Sequence, residues 1–344
     1  MTDGPLFHLQ FGRDGGTERS FLRLAEAFAA RGVVQEFAIR PGNSWRSTLD
    51  QLGPVHEGWF LRRTPLGLWQ AARLRRRIMA SGAQAVMAWR APAARLIPAL
   101  PTAAKITILG DYPRHLRHFG YLDCLVGVSP PVLEHCRCLG WEGPMRLIPN
   151  FLPETFAPIP VNRAAFDTPR NAFLIIGVGR FVRIKGFDTL IHAAAACPDA
   201  WLWLVGDGEE RAALERLVAA LGMAARTRFV GWVNRPQDYI AAADVFAMPS
   251  RQEPLGNVVL EAWAAGVPVI STRSEGPDWF ATDGVDCLLV DIDDSTAMAA
   301  AITRLRTAPD MAAQLVKGGR ATMAARFTQD AVVNRYLEIF DRQF

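Results

Sequence analysis

The chain has 344 residues, half of them apolar and 21% charged, a balance that is typical of a globular protein and excludes extensive disorder. A single hydrophobic core stops growing near ~250–300 residues, so this length predicts two domains. No apolar stretch approaches the ~20 residues of a membrane-spanning helix. The net charge of +4 is small, but the charges are distributed unevenly along the chain.

The first residues of the chain and its cysteines both favour a cytoplasmic location. The N-terminus begins acidic and reaches a Gly-rich turn at once, without the apolar segment of a secretory signal. The five cysteines, an odd number without framework spacing, are typical of reduced thiols. Cys136 and Cys138, beside His135, suggest a metal, but their spacing is tighter than in zinc sites, and small core residues in a helix are the simpler interpretation. We predict no metal site and no cofactor.

The first half of the chain alternates short apolar strands with helices. A strand at 4–11 leads through a Gly-rich turn into a helix at 21–31, which ends at Gly32. Further strands are predicted at 33–39, 85–89, 105–109 and 124–128, and further helices at 66–80 and 131–139. The alternation restarts in the second half, with a strand at 172–178 and helices at 209–221 and 257–265 among its elements.

A proline-rich segment separates the two halves. Residues 148–170 hold five prolines and little periodicity, which is typical of an inter-domain linker. We expect an N-terminal domain at 1–150, a linker at 151–170, a C-terminal domain at 171–325, and a helix at 326–344 that would pack back on the N-terminal domain. Strands that are apolar on both faces and alternate with helices specify buried parallel sheets. The expected fold class is α/β, with two doubly wound Rossmann-like domains facing across a cleft.

Ligands of such sheets bind at the carboxyl ends of the strands, and one turn in that position carries cations. Gly179 and Arg180 follow a buried strand, and Lys185 comes shortly after them. Flexible backbone amides and cations at a strand end suit a phosphate group. A tight strand-to-helix turn with surface cations has the same pattern, so the turn alone leaves both interpretations open.

A second turn carries two carboxylates. Glu253 precedes a predicted helix and Glu261 lies about one turn inside it. Carboxylates accept hydrogen bonds from vicinal hydroxyls, and a helix N-terminus at Leu255, Gly256 and Asn257 suits a phosphate. The alternative is that Glu253 stabilises the helix electrostatically and Glu261 is a solvated helix residue, although Glu261 lies within an apolar run.

Five motifs of the second half, in their order and spacing, strongly resemble glycosyltransferase family 4, retaining enzymes of the GT-B fold. The resemblance is close over residues 172–291 and rests on Gly179-Arg180 with Lys185-Gly186, Val205-Gly206-Asp207-Gly208, Phe229-Val230-Gly231, Ala243-Asp244-Val245 with Pro249-Ser250, and Glu253 with Glu261 followed by residues 265–269. In the first half, Gly15-Gly16-Thr17-Glu18 resembles the family's Gly-Gly turn. Residues 105–130 are similar to bacterial lipopolysaccharide and other cell-surface glycan transferases.

The resemblance implies a role for each motif residue. Arg180 and Lys185 would be the cations for the donor diphosphate, Glu261 would bind the ribose hydroxyls, and Glu253 would bind the donor sugar. By the same resemblance, Gly15 and Gly16 would close over the donor from the other domain, where their missing side chains let the backbone approach. A plain strand-to-helix turn is the competing interpretation of these two glycines.

One departure from the family concerns Asp111. Many members carry a His-Asp pair where this chain has Leu109-Gly110-Asp111-Tyr112, so the histidine is absent. Either Asp111 orients the sugar or the acceptor, or no side chain is needed there. His115 and His118 lie one helical turn apart, and an acceptor-site or surface role is favoured over metal ligation.

The basic residues are concentrated in one region. Residues 58–120 hold eleven Lys or Arg against one acid, which indicates an anionic partner or else a solvated basic face. The predicted helix at 66–80 would pack Ala71, Leu74 and Ile78 inward and dock on anionic lipid through Arg73, Arg76 and Arg77. Nucleic-acid binding is not expected, because the chain has no reader motif.

These observations predict a retaining glycosyltransferase of the hexosyltransferase type. It would move a sugar from a nucleotide diphosphate-sugar to a hydroxyl of a lipid-linked, lipopolysaccharide-type glycan, at the inner face of the cytoplasmic membrane. We expect it to be metal-independent, because no Asp-x-Asp stands where a divalent ion could bridge to the diphosphate. The alternatives are a nucleotide-sugar epimerase or phosphorylase of the same fold, and a nucleotide-binding protein without turnover.

Overall fold

The computed structural model describes residues 4–12, 15–120 and 122–341, and the chain divides into two compact units. The first unit comprises Met1–Pro153 with Phe327–Phe344, and the second comprises Glu154–Arg326. Most of the segment expected as a linker is packed in the second unit. Arg163 donates to the carbonyls of Ala242 and Ala172 at 2.7 and 2.8 Å, and Thr168 accepts from the indole of Trp203 at 2.9 Å. The proline-rich segment thus has no α-helix or strand among its residues, but it contains a short 3-10 helix at Arg163–Phe166 and makes tertiary contacts.

The first unit is built on a parallel sheet. Its described strands are β1 (Leu6–Gln10), β2 (Gln35–Ile39), β3 (Val55–Glu57), β4 (Ala85–Trp89), β5 (Ala104–Leu109), β6 (Cys124–Gly127) and β7 (Met145–Leu147). They lie in the order β3-β2-β1-β4-β5-β6-β7, and every pairing is parallel. The order reverses between β1 and β4, so the ends of these two strands form the topological switch point of this unit.

Helices lie in all but one of the connections between these parallel strands; in the described residues between β5 and β6 there is none. They are α1 (Gly16–Ala30), α2 (Arg46–Asp50), α3 (Pro65–Ala80), α4 (Ala91–Ala94) and α5 (Pro130–Cys138). Helix α1 begins five residues earlier than predicted, since its first turn is polar and lacks the apolar periodicity on which the prediction depended. Glu18 in that first turn stabilises the start of the helix through the helix dipole.

The second unit is also built on a parallel sheet. Its strands are β8 (Phe173–Val178), β9 (Ala200–Val205), β10 (Thr227–Gly231), β11 (Val245–Met248), β12 (Val269–Thr272) and β13 (Leu288–Val290). They lie in the order β10-β9-β8-β11-β12-β13 with parallel pairing, and the order reverses between β8 and β11. The switch point of this unit is therefore at the ends of β8 and β11.

The helices of the second unit follow its strands. They are α6 (Phe187–Ala195), α7 (Arg211–Ala220), α8 (Pro236–Ile240), α9 (Asn257–Ala265), α10 (Glu275–Phe280), α11 (Ser295–Thr307) and α12 (Pro309–Arg326). Apolar side chains of α6, α7 and α11 share one core with strands β8, β9 and β11. The sheet is buried by its helices, so the side chains available for chemistry lie in the loops at the strand ends.

The C-terminal helix α13 (Gln329–Phe340) belongs to the first unit. Tyr336 and Phe340 pack against Phe28 of α1, with ring centroids 6.0 and 5.5 Å apart. Arg31 at the end of α1 adds an ion pair with Asp330 at 2.5 Å. In the part of the chain that the structure describes, no helix is long and apolar enough to cross a membrane.

Candidate active site

The loops that follow β8 and β11 touch at the switch point of the second unit. The backbone amides of Arg251 and Gln252 donate to the carbonyl of Ile184 at 2.8 and 3.2 Å. Gly186 has φ +62°, and a Cβ there would lie 2.1 Å from the carbonyl oxygen of Pro249. A side chain at position 186 would therefore push the two loops apart, which explains a glycine directly after Lys185.

This contact brings together two residues that are 68 positions apart in the sequence. Lys185 Nζ donates to Glu253 Oε2 at 2.5 Å, and the hydroxyl of Ser250 lies 3.5 Å from the same oxygen. The Lys185 and Glu253 side chains are 21% and 13% exposed, so the pair is partly shielded from water but accessible at one side. An ammonium group has three donors and uses one of them here, which leaves capacity for a further anionic oxygen.

The loop that carries Glu253 is held from the other side by α10. The backbone amide of Glu253 donates to the Glu275 carboxylate at 3.0 Å, and the amide of Gly276 donates to the Glu253 carbonyl at 2.8 Å. A Cβ at Gly276 would lie 2.4 Å from the carbonyl oxygen of Leu255. Glu275 and Gly276 thus position the loop. We did not predict them from the sequence, although an acid and a glycine shortly after a strand were the available signal.

Helix α9 begins at this loop. Gly256 precedes it with φ +92°, and no side chain in the described residues caps the helix at this position. Asn257 is the first helical residue, and Leu255 before it is buried. Glu261, one turn into the helix, is 0% exposed. The hypothesis that Glu261 is a solvated helix residue is therefore wrong.

The turn after β8 also holds Gly179 and Arg180. The amide of Gly179 donates to the carbonyl of Val205 at 3.0 Å, and a Cβ at Gly206 would lie 1.9 Å from the carbonyl oxygen of Gly179. This tight backbone contact fixes the turn. Arg180 is exposed, and among the described residues it forms no ion pair. The structure thus joins Lys185 to Glu253 and leaves Arg180 as a separate cation on the same turn.

Similarity to known proteins identifies the family to which this arrangement belongs. A family model described as glycosyl transferases group 1 matches residues 159–322. The lipopolysaccharide core biosynthesis glycosyltransferase LpsD of Rhizobium meliloti (strain 1021) is 42% identical over 337 residues, which cover 98% of each chain. The chain belongs to the group 1 glycosyltransferases. The glycosyltransferase LpsE of the same organism is 41% identical, over 96% of this chain and 97% of its own.

The fold of this glycosyltransferase is shared with solved structures. Anabaena HepE, in a complex with UDP-glucose, matches 98% of this chain and 99% of its own with a TM-score of 0.84 and 21% identity. At that identity the match shows the fold alone. The expected fold class, GT-B with two parallel-sheet α/β domains, is confirmed, and so is the resemblance to the family.

In the first unit of this glycosyltransferase, the predicted glycines lie beside a buried carboxylate. Gly15 precedes α1 in an extended conformation and Gly16 is the first residue of the helix. A Cβ at Gly15 would lie 2.8 Å from an oxygen of Glu18, which is almost fully buried and pairs with Arg90 at 3.3 Å. The missing side chain at position 15 therefore makes room for Glu18, a local packing reason for the glycine that does not depend on a ligand.

Asp111 is exposed and lies two residues after the end of β5. A Cβ at its neighbour Gly110 would lie 3.6 Å from the hydroxyl of Thr17, so the first turn of α1 lies next to the turn after β5. The side chains of Thr17 and Asp111 thus belong to the same edge of the first sheet.

The cysteine and histidine cluster on α5 has a structural explanation. Cys136 is buried, and burial raises the pKa of its thiol to about 11. Cys138 is exposed, and His135 Nε2 lies 2.8 Å from the carbonyl oxygen of Pro113. Among the described residues, no group of three His, Cys, Asp or Glu is arranged to hold a metal ion. Cys136 is a small core residue of a helix.

Proposed function

We propose that this glycosyltransferase transfers a hexose from a nucleotide diphosphate-sugar, and that the donor binds at the switch point of the second unit. The observation that carries this proposal is the Lys185–Glu253 pair beside the start of α9. A cation and a helix N-terminus there can bind the phosphate groups of such a donor, and the carboxylate beside them can accept hydrogen bonds from its hydroxyls. The UDP-glucose complex of HepE, a structure of the same fold, supports a uridine nucleotide as the first donor to test.

Each residue has a proposed role toward the donor. Lys185 and Arg180 bind the diphosphate, together with the first amides of α9. Glu261 is a buried carboxylate one turn into α9, and it accepts hydrogen bonds from the ribose hydroxyls. Glu253 accepts from a hydroxyl of the sugar while Lys185 holds its carboxylate in position.

The proposed chemistry depends on charge at the leaving group. As the bond from the anomeric carbon to the diphosphate breaks, negative charge develops on the phosphate oxygens. Lys185, Arg180 and the α9 N-terminus stabilise this charge, and such fixed electrostatic groups contribute more than any other single effect in many enzymes. We propose that these cations take the part a divalent ion has in other transferases, and that the configuration of the sugar is retained. Asp111 is proposed to orient the acceptor hydroxyl.

We propose a lipopolysaccharide-type acceptor at the cytoplasmic face of the inner membrane. LpsD and LpsE, which are similar over almost the whole chain, are named for lipopolysaccharide core biosynthesis. On α3 the inward stripe is Ala71, Leu74 and Ile78, whereas Leu68 and Trp69 are exposed at 61% and 53%. A helix with exposed apolar and cationic side chains on one side is suited to the interface of an anionic membrane.

Two of the three arginines that we expect to contact anionic lipid are exposed and without an acidic partner among the described residues. Arg73 and Arg76 are exposed and have no ion pair within the described residues, and Arg73 stacks on Trp69 at 5.5 Å. Arg77 instead pairs with the buried carboxylate of Glu36 at 3.0 Å.

Each cation near an anionic surface contributes about 1 kcal/mol, so the double substitution Arg73→Gln/Arg76→Gln should weaken binding to phosphatidylglycerol vesicles about 30-fold. Exposed Arg216 on α7 gives the matched control, and binding unaffected by the double substitution would exclude this face.

The function is tested with a panel of UDP-, GDP-, ADP- and CDP-sugars. A donor present at about 100 times its dissociation constant stabilises the protein by ~2.7 kcal/mol, which a thermal-shift assay detects. The stabilising donor is then incubated with lipooligosaccharide acceptors, and the linkage of the product is determined by NMR. Conversion of the donor without an acceptor would indicate an epimerase, and a requirement for inorganic phosphate would indicate a phosphorylase. Either result contradicts the proposal.

A further inference from the structure

The first unit contains a group of three arginines and two histidines that the proposed donor site does not use. We call it the cationic cluster; its members come from three segments and are Arg63, Arg95, His115, Arg117 and His118. Arg63 precedes α3, Arg95 follows α4, and the other three lie in the segment after β5. In the part of the chain that the structure describes, none of the five forms an ion pair with an acid.

Hydrogen bonds to backbone carbonyls hold these segments together. The Arg95 guanidinium donates to the carbonyl of Leu61, two residues before Arg63. Arg75 of α3 in turn donates to the carbonyls of Arg95 and, at 3.4 Å, Leu96. The cluster is therefore tied across two loops and a helix, so its cations are not independent surface side chains.

The side chains after β5 complete the cluster. Arg117 Nε lies 3.4 Å from His118 Nε2, and the rings of His115 and His118 have centroids 5.4 Å apart. Burial and then the charges of Arg117, His115, Arg95 and Arg63 lower the pKa of His118. Burial and then the charges of Arg63, Arg75 and Arg117 lower the pKa of Arg95. All the charges that act on these two groups are positive, so the cluster repels itself.

Three other cations of the same unit each have an acidic partner. Arg77 pairs with Glu36, Arg90 pairs with Glu18, and Lys105 pairs with Asp123 at 2.7 Å. Like charges held close together lower the stability of the folded protein unless an anion compensates them. In the cationic cluster, by contrast, the charges that act on Arg95 and His118 are all positive, and an anion bound there would compensate them.

The cluster also lies where this fold binds ligands. Arg95 and the segment with His115 and His118 follow β4 and β5, on the carboxyl side of the sheet and next to its switch point. Asp111 is in the same segment, between β5 and His115. A ligand whose hydroxyl is near Asp111 can therefore have an anionic group at the cluster.

We propose that the cationic cluster binds a phosphate group of the acceptor, so that the acceptor is a phosphorylated saccharide. This inference rests on the proposed function, because it names the chemistry of the acceptor. Guanidinium groups bind phosphate oxygens in pairs, and a phosphate dianion would favour the charged form of His118. Donor phosphates are bound in the second unit, so the two phosphate-binding places use different residues.

The test uses the whole protein, labelled with 13C at its histidines, and glucose 6-phosphate as the probe. The His118 resonance is assigned from the spectrum of His118→Gln. Addition of glucose 6-phosphate should shift this resonance and raise the pKa of His118, whereas glucuronate at the same concentration should not. The double substitution Arg95→Gln/Arg117→Gln should weaken the binding of glucose 6-phosphate at least tenfold, since each guanidinium makes charge-assisted hydrogen bonds to the phosphate. Arg216→Gln, on α7 of the second unit, is the matched control and should change nothing.

UDP binding is measured on the same samples, so that this inference and the proposed function are tested separately. UDP that binds all variants equally shows that they are folded and that their donor site is intact. If UDP binds but glucose 6-phosphate leaves His118 unchanged, the inference is refuted and the proposed function stands. The inference would also be overturned if glucuronate shifted the His118 resonance as much as glucose 6-phosphate does. A shift of this resonance with phosphatidylglycerol vesicles alone would overturn it too. With lipooligosaccharide as acceptor, loss of the two guanidiniums should raise the KM for a phosphorylated acceptor and leave the donor KM unchanged.

Discussion

His8, at the centre of β1, should make the first unit sensitive to acid. Trp89 Nε1 donates to His8 Nδ1 at 3.3 Å, and His8 Nε2 lies 2.9 Å from Gln35 Oε1. The Gln35 amide nitrogen is occupied by the carbonyl of Ala25 at 2.9 Å, so its oxygen faces the ring and the proton of His8 is on Nε2. A second proton on Nδ1 would point at the indole N–H. The ring is therefore held in its neutral form.

The size of the effect follows from the pKa of His8. Burial lowers this pKa from 6.5 to about 3, with the hydrogen bond to Gln35 opposing the change. Between these values the unfolded chain binds a proton that the folded chain does not, so stability is fully present above pH 6.5 and is lost as the pH falls toward 3. At about 1.4 kcal/mol per pH unit, the loss is about 2 kcal/mol at pH 5 relative to pH 7.5.

The measurement is the free energy of unfolding in urea at pH 7.5 and pH 5.0. The variant His8→Phe keeps a ring among the surrounding aromatic side chains but cannot titrate, so it should be less stable than the wild type at pH 7.5 and lose about 2 kcal/mol less on acidification. The exposed His192 on α6 is the control position, and His192→Gln should show the wild-type pH dependence. Parallel pH profiles of the wild type and His8→Phe would refute the argument.

The further predictions concern the proposed donor site. Glu261→Ala should weaken UDP binding about 10- to 150-fold, because a hydrogen bond to a charged group is lost. Calorimetric titration with UDP would measure the change. Glu253→Gln should lower kcat more than it raises the donor KM, because the carboxylate is proposed to act on the sugar; a change in KM alone would contradict this. Gly276→Ala should reduce donor affinity, since its Cβ would lie 2.4 Å from the Leu255 carbonyl, whereas Gly120→Ala, with open space around it, should not. Activity that EDTA abolishes and magnesium restores would refute the proposed role of Lys185.

The sequence predicted most of the fold because the evidence for it is local. Strands apolar on both faces, separated by helices and turns, specify a parallel sheet wherever they occur in the chain. The glycine and cations after β8 were selected in the same way, as a turn suited to phosphate, and their roles toward a donor came from the family resemblance and stay a prediction. The start of α1 was missed because its first turn, from Gly16 to Ser20, is polar and shows no apolar periodicity.

Contacts between distant segments were beyond this kind of inference. Nothing in the sequence pairs Lys185 with Glu253, or Arg77 with Glu36, because such pairs depend on which strands are neighbours in the sheet. The same is true of Gly15, whose missing side chain accommodates the buried carboxylate of Glu18. Periodicity and turn residues thus determined the elements of this protein. The tertiary structure decided which charges are compensated, because that depends on distances across the sheet and not along the chain.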